Sequence, residues 1–338
     1  MSTARIGLDV LGGDRAPDAI LDGAWMAVTA TDGEAIPADR IVLYGDAQHI
    51  ESSLTARGGN PGFTVVHAPE AIGMDEKPAQ ALRAKRHSSI VVGTHSVKTG
   101  DTGAFVSMGN TGAVVGAATL MLGTLAGVRR PGIAVTLNIT GSPLTLLDMG
   151  ANTVPKPEDL VAYGIMGSLL QRDCLGVPKP RVGLLNIGEE DSKGTEVLQT
   201  AHKLLHEAKL DFIGNVEGGD IFQGKSDVVV TDGFTGNVAL KLMEGLSGFM
   251  LQLMMGELKD HAAGWGPEAL KNVKRHIDYS EYGGALLLGV DGVVIIGHGR
   301  SDGHAVHNAL KLAARALDSE VNASIVRGLE SRTAPAAE

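Results

Sequence analysis

One pattern recurs along this chain and limits what it can fold into. A short apolar run ends in a loop of glycine and polar residues, and a stretch with helical spacing follows. Strand-like runs fall at 6–10, 41–44, 63–66, 105–107, 133–137, 144–148, 182–186, 227–231 and 292–296. Helical stretches fall at 18–29, 79–89, 90–98, 111–122, 157–171, 195–208, 238–255 and 304–317. Parallel strands need long crossovers, and a crossover helix buries its apolar side on the sheet. The pattern therefore predicts an α/β fold, a mostly parallel sheet covered by helices on both faces. The runs at 133–137 and 144–148 are close enough for a hairpin, and residues from 329 onward read as a disordered tail.

In such sheets ligands sit beyond the carboxyl ends of the strands. Five loops there carry polar residues, at Asp14, Asn110, Lys193, Asn237 and Arg300. The most suggestive is Ser107-Met-Gly109-Asn110-Thr111-Gly112, which leads into a helix of small apolar residues that reads as buried all round. Backbone N–H groups at a helix start, with the helix dipole behind them, suit an anion. The same residues also make an ordinary strand–helix turn with an asparagine cap.

Composition narrows the function classes. With 338 residues, 43% of them hydrophobic, the chain can bury a large core. A net charge of -10 argues against a nucleic-acid partner. Cys174 is the single cysteine, so no internal disulfide forms, and its place near a helix end reads as structural. No leader peptide is expected ahead of the first strand-like run, and no apolar run approaches the ~20 residues that span a membrane.

Several motif matches are discounted. Residues 219–226, GDIFQGKS, fit a nucleotide-binding P-loop, but a strand rather than a helix follows them. Gly299-Arg-Ser301-Asp-Gly303 fits a nucleophile elbow, yet His304 and His307 come too soon to activate Ser301. His202 and His206 have metal-ligand spacing without an evident third ligand. No glycine fingerprint for a dinucleotide is present.

Seven segments taken together carry a family resemblance: 9–14 (DVLGGD), 107–113 (SMGNTGA), 147–152 (LDMGAN), 188–194 (GEEDSKG), 214–218 (GNVEG), 232–237 (DGFTGN) and 281–285 (EYGGA). In order and spacing the chain resembles the bacterial acyl-ACP:phosphate acyltransferases, the PlsX family. It departs at Arg15, where histidine is usual, and at Met108, Asn138 and Leu286. The resemblance implies a three-layer α/β/α fold related to isopropylmalate dehydrogenases and phosphotransacetylases. A single α/β domain over 1–328 is expected, with a helical hairpin excursion at about 246–277.

The implied reaction is acyl transfer from acyl-ACP to inorganic phosphate, giving acyl phosphate for membrane phospholipid synthesis. No metal or organic cofactor is implied. The implied partners are acyl carrier protein, phosphate, a second copy in a homodimer, the inner face of an anionic cytoplasmic membrane touched peripherally, and a downstream glycerol-3-phosphate acyltransferase. Lys193, Asn110 and Asn237 are the candidate catalytic residues, supplying charge to phosphate and donors to the developing oxyanion. The candidates for substrate binding are Asp9, Gly13, Asp14, Gly109, Thr111, Gly112, Asp232, Gly233, Thr235 and Gly236. The carboxylates of Asp9, Asp14, Asp232 and Glu189 would repel phosphate if aimed at it, so orienting Lys193 and the loops, or proton transfer, suits them better. Carrier docking by an acidic enzyme needs a local basic patch, for which Arg83, Lys85, Arg86, Arg129 and Arg130, or Lys271, Lys274 and Arg275, qualify.

Two other classes compete. A decarboxylating dehydrogenase on a related sheet would need a nicotinamide cofactor. A non-catalytic scaffold would bind carrier protein at the membrane without turnover. Residues 246–277 also read two ways. Leu246, Phe249, Met250, Leu253 and Met254 form an apolar stripe and Trp265 tips a turn, which suits either an interfacial anchor or a dimer interface.

Overall fold

The computed structural model describes residues 3–31, 33–138, 141–258 and 283–333. These residues divide into two compact units, one of 3–131 with 283–333 and one of 132–258.

The first unit contains β1 (Ile6–Asp9), α1 (Asp18–Thr29), β2 (Ile41–Gly45), α2 (Ala47–Ala56), β3 (Thr64–His67), α3 (Pro78–Ala84), α4 (Ser89–Thr99), β4 (Ala104–Ser107) and α5 (Thr111–Met121). After the second unit's segment, β10 (Ala285–Leu288), β11 (Val293–Ile296), α9 (Gly303–Asp318) and α10 (Val321–Thr333) complete it. Its strand order is β3-β2-β1-β4-β11-β10, parallel except for the β10–β11 pair. All residues of β1, β2, β4 and β11 are buried, so helices and loops cover both faces of these strands. Phe105 reaches α4 at Gly93, where a Cβ would lie 2.0 Å from its ring, so only glycine lets that helix settle on β4.

The second unit contains β5 (Gly132–Leu137), β6 (Leu144–Leu147), α6 (Pro157–Asp173), β7 (Arg181–Leu185), α7 (Glu196–Glu207), β8 (Asp211–Val216), β9 (Val228–Val230) and α8 (Gly233–Leu258). The order β5-β6-β9-β7-β8 is parallel apart from the β5–β6 hairpin. Antiparallel strands pair across short loops, which is why the hairpin was visible in the spacing.

Some expectations are corrected. The segment 232–237 is not a loop, because α8 starts at Gly233. The helix at 111–122 is not buried all round, since Thr111, Gly112 and Leu120 are exposed. Residues 329–333 belong to α10 rather than a tail, and Leu329 packs on Gly127. Residues 334–338, and 259–277 of the expected hairpin, lie outside the described residues, as do Trp265, Lys271, Lys274 and Arg275. No helix among the described residues is long and apolar enough to cross a membrane.

Candidate active site

In the first unit the site candidates gather around Asp9 at the carboxyl end of β1. Its side chain is fully buried. Ser107 Oγ, at the end of neighbouring β4, donates to Asp9 Oδ2 at 2.6 Å, and the Leu11 amide donates to Oδ1 at 3.1 Å. The Gly109 amide in turn donates to Ser107 Oγ at 3.0 Å. Burial pushes the Asp9 carboxyl up from its ordinary value, and the hydroxyl and amide donors oppose that shift. Gly12 is required beside it, since a Cβ there would lie 2.4 Å from Asp9 Oδ2. Asp9 therefore holds the loop ends together and does not present its carboxylate to a substrate.

Three of the five predicted loops do meet in this unit. The Asp14 amide donates to Gly299 O at 2.7 Å, and the Gly297 amide donates to Ser107 O at 2.9 Å. Gly13, at φ +99°, fits against Gly299 O and Met108. The Asp14 and Arg300 side chains are exposed at this edge.

Asn110 is the N-cap of α5. Its Oδ1 accepts from the Ala113 amide at 3.1 Å. Its Nδ2 faces the carbonyls of Gly73, Met74 and Glu76 at 3.0–3.3 Å. Both ends of the carboxamide are thus engaged within the protein. These contacts fix the start of α5 against the 73–76 turn. Thr111 and Gly112, next along, are exposed on the first turn of that helix. Gly112 is constrained by packing too, as a Cβ would sit 2.6 Å from Pro78.

The second unit repeats the arrangement around Asp148, directly after β6. Its Oδ1 accepts from the amides of Ile133, Gly150 and Ala151, each at 2.9 Å, and Oδ2 accepts from Asn152 at 2.7 Å. Burial raises this carboxyl, and the four amides oppose the shift. A Cβ on Gly233 would lie 2.7 Å from Asp148 Oδ2, and one on Gly236 would lie 2.0 Å from Asp148 O. The two glycines let α8 start directly against Asp148. Sequence reasoning quoted Asp148 in a motif without giving it a role. The signal was available, because Asp9 and Asp148 both sit where a strand ends, with a glycine three and two residues further on.

Gly233, Thr235 and Gly236, candidates for substrate binding, lie at the α8 start. The Gly233 amide donates to Asn152 O at 2.9 Å and the Gly236 amide to Asp232 O at 2.9 Å. The amides of Phe234 and Thr235 donate to Asp232 Oδ1 at 3.0 and 2.8 Å. These donors are satisfied internally, with Asp232 capping the first turn. Asn237 is exposed one turn into the helix, beside Gly150.

Lys193 lies in the loop between β7 and α7. Its ammonium is 3.9 Å from Glu190 Oε1, and its side chain is 46% exposed, which leaves room for an anionic ligand. The loop is tied from several sides. Asn186 Nδ2 donates to Lys193 O at 3.1 Å, Asn215 Nδ2 to Glu190 O at 2.9 Å, and Gln199 Nε2 to Ser192 O at 2.7 Å. Lys225, from the discounted P-loop match, pairs with Glu189 at 2.9 Å and Asp220 at 2.6 Å. It is a structural cation. A strand, β8, does precede that segment, but no α-helix follows it, so the discount stands.

The remaining motifs take structural places. Cys174 is the C-cap residue of α6. His202 and His206 pack edge-on against Phe212 and each other. Ser301 is buried, and its amide donates to His298 O at 2.9 Å. No group of three or more potential metal-ligating side chains is present among the described residues.

The architecture is that of a mixed α/β protein with mostly parallel strands, the fold of the phosphotransacetylases. EutD phosphotransacetylase from Staphylococcus aureus superposes with a TM-score of 0.61 at 16% identity, covering 92% of this chain and 94% of that one. A family model described as fatty acid synthesis protein matches residues 4–324. A phosphate acyltransferase of Desulforudis audaxviator is 43% identical over 333 residues, covering 96% of each chain. One of Heliobacterium modesticaldum is 43% identical over 338 residues, covering 98% of this chain and 99% of that one. The chain belongs to this family, the PlsX family of acyltransferases.

Proposed function

We propose that the chain transfers the acyl group of acyl-ACP to inorganic phosphate, and that the acyl phosphate feeds membrane phospholipid synthesis. Family membership supports the acyltransferase class. The observation that carries the residue-level reading is Lys193, a half-exposed cation on a loop tied by three side-chain amides. In this reading a phosphate oxygen attacks the thioester carbon, the C–O bond forms as the carbonyl π pair moves onto oxygen, and collapse of that oxyanion breaks the C–S bond, the electron pair leaving with the carrier's sulfur. Phosphate is itself the nucleophile, so no enzyme nucleophile is required. Lys193 holds the phosphate charge, and Asn237 donates to the developing oxyanion. Asn110 acts by placing the exposed first turn of α5, where Thr111 and Gly112 lie.

In the same reading the chain works as a homodimer touching an anionic membrane and passes its product to a glycerol-3-phosphate acyltransferase. The support is α8, which exposes Phe234, Val238, Leu242, Leu246, Phe249, Met250 and Leu253 at helical spacing. Carrier docking falls to Arg83, Arg86, Arg129 and Arg130, all exposed. Lys85 is withdrawn from that patch, since its ammonium binds Glu76 and Ala71 O.

Mass spectrometry of acyl-ACP incubated with phosphate and the protein tests the reaction. Acyl phosphate is expected only when all three are present. Binding of NAD by the purified protein, without acyl phosphate formation, would instead indicate a dehydrogenase, and carrier binding without turnover a scaffold.

A further inference from the structure

The loop carrying Lys193 is built differently from an ordinary surface connection. Loops usually leave their carbonyls to water. Here the carbonyls of Glu190, Ser192, Lys193 and Gly194 each accept from a side-chain amide. The donors come from three elements: Asn186 after β7, Asn215 on β8, and Gln199 on α7. Asn186 and Asn215 are 8% and 7% exposed. Burying an amide donor is unfavourable unless it is hydrogen-bonded, and the Nδ2 group of each of these side chains is spent on the loop. Gly194, at φ +84°, closes the turn where a Cβ would lie 2.6 Å from Asn186 Oδ1.

One of the loop's acids is also drawn aside. Glu189 pairs with Lys225, which is anchored by Asp220. Asp191 stays exposed, 3.4 Å from a His202 ring that burial pushes toward its neutral form. Among the described residues only Glu190 approaches the Lys193 ammonium, at 3.9 Å.

We infer that Asn186, Asn215, Gln199 and Lys225 are positioning residues that fix the backbone under Lys193 and keep its charge available to an anionic substrate. The inference rests on the proposed role of Lys193 in binding phosphate. A loop merely stitched for stability would need neither the diverted Glu189 nor an ammonium left half exposed.

Gln199 and Lys225 lie at the surface of the second unit, so their variants should fold. Gln199→Ala removes the donor, and Gln199→Glu keeps the shape while offering only acceptors. Lys225→Met frees Glu189. Each variant should raise the KM for phosphate about fivefold, the scale of one lost hydrogen bond, with the KM for acyl-ACP little changed. The melting temperature should hold in the two Gln199 variants and fall in Lys225→Met, which leaves the buried Asp220 carboxylate without its cation. Hydrogen exchange of amides 187–194 should accelerate in the two Gln199 variants. Unchanged exchange would overturn the frame itself. Faster exchange with an unchanged KM for phosphate would overturn its positioning role. Lys193→Ala turning over at the wild-type rate would remove the role of Lys193, and with it the purpose of the frame, while the exchange data would still report on the loop separately.

Discussion

Ser107 Oγ donates to Asp9 Oδ2 at 2.6 Å, joining the ends of two adjacent parallel strands through a fully buried carboxyl. Burial raises the Asp9 pKa above 3.8 in the folded chain. The folded state then binds more protons than the unfolded one between 3.8 and that raised value. The stability Asp9 contributes by this linkage is fully present below that window and lost as pH rises through the folded pKa. Ser107→Ala removes a donor that favours the ionised form, so it raises the folded pKa further. We predict a loss of about 1–3 kcal/mol near neutral pH, and a smaller loss near pH 3.8. Urea denaturation of both proteins at the two pH values measures the difference. An equal loss at both would contradict an ionised Asp9 at neutral pH.

Gly236→Ala tests the seat of α8. The added methyl would meet the Asp148 carbonyl oxygen at 2.0 Å, and backbone cannot step aside as a flexible side chain can. Overpacking of this kind costs about 1–3 kcal/mol and occasionally more. Thermal melting should show a clear loss, whereas Gly245→Ala, in the same helix with open space around it, should not lower stability.

Lys193→Ala should leave the melting temperature near wild type, because the side chain is half exposed and its nearest acid is 3.9 Å away. Turnover should fall by about 10²–10³-fold, the usual consequence of losing one aimed charge or donor in a reacting site. Saturation curves in phosphate would show it. Asn237→Ala should reduce turnover without weakening carrier binding.

Leu253→Glu places a charge on the exposed stripe of α8. Binding to anionic vesicles should weaken in co-sedimentation, with the fold retained. If vesicle binding is unaltered and the dimer dissociates on a sizing column, the stripe is an interface between copies.

Charge reversal at Arg129 and Arg130 should raise the KM for acyl-ACP at low salt and leave the KM for phosphate alone. Unchanged carrier kinetics would assign docking to another surface.

The elements were legible where short-range pattern makes them. The helix read at 18–29 is α1, Asp18–Thr29, and the 133–148 hairpin is β5 with β6. Apolar spacing and loop residues act over a few positions, so they can be read without knowing what lies opposite. Other elements were invisible for a physical reason. β8, DFIGNV, has no clear alternation and is a strand because it pairs with β7. The α8 start, with Gly233 and Gly236, reads as a loop by propensity, and the helix forms there because those glycines fit against Asp148.

The site divides along the same line. By itself the sequence determined which strand-end loops carry polar groups, and that Lys193 is a cation in an acidic loop. Only the tertiary structure decided which of those groups are already engaged. Asn110, Asp9 and the amides of Gly233 to Gly236 are taken by partners within their own units, while Lys193 is left open. Many of those partners lie tens of residues away along the chain, and hydrogen bonds at that range follow from how the strands and helices pack, which local pattern does not encode.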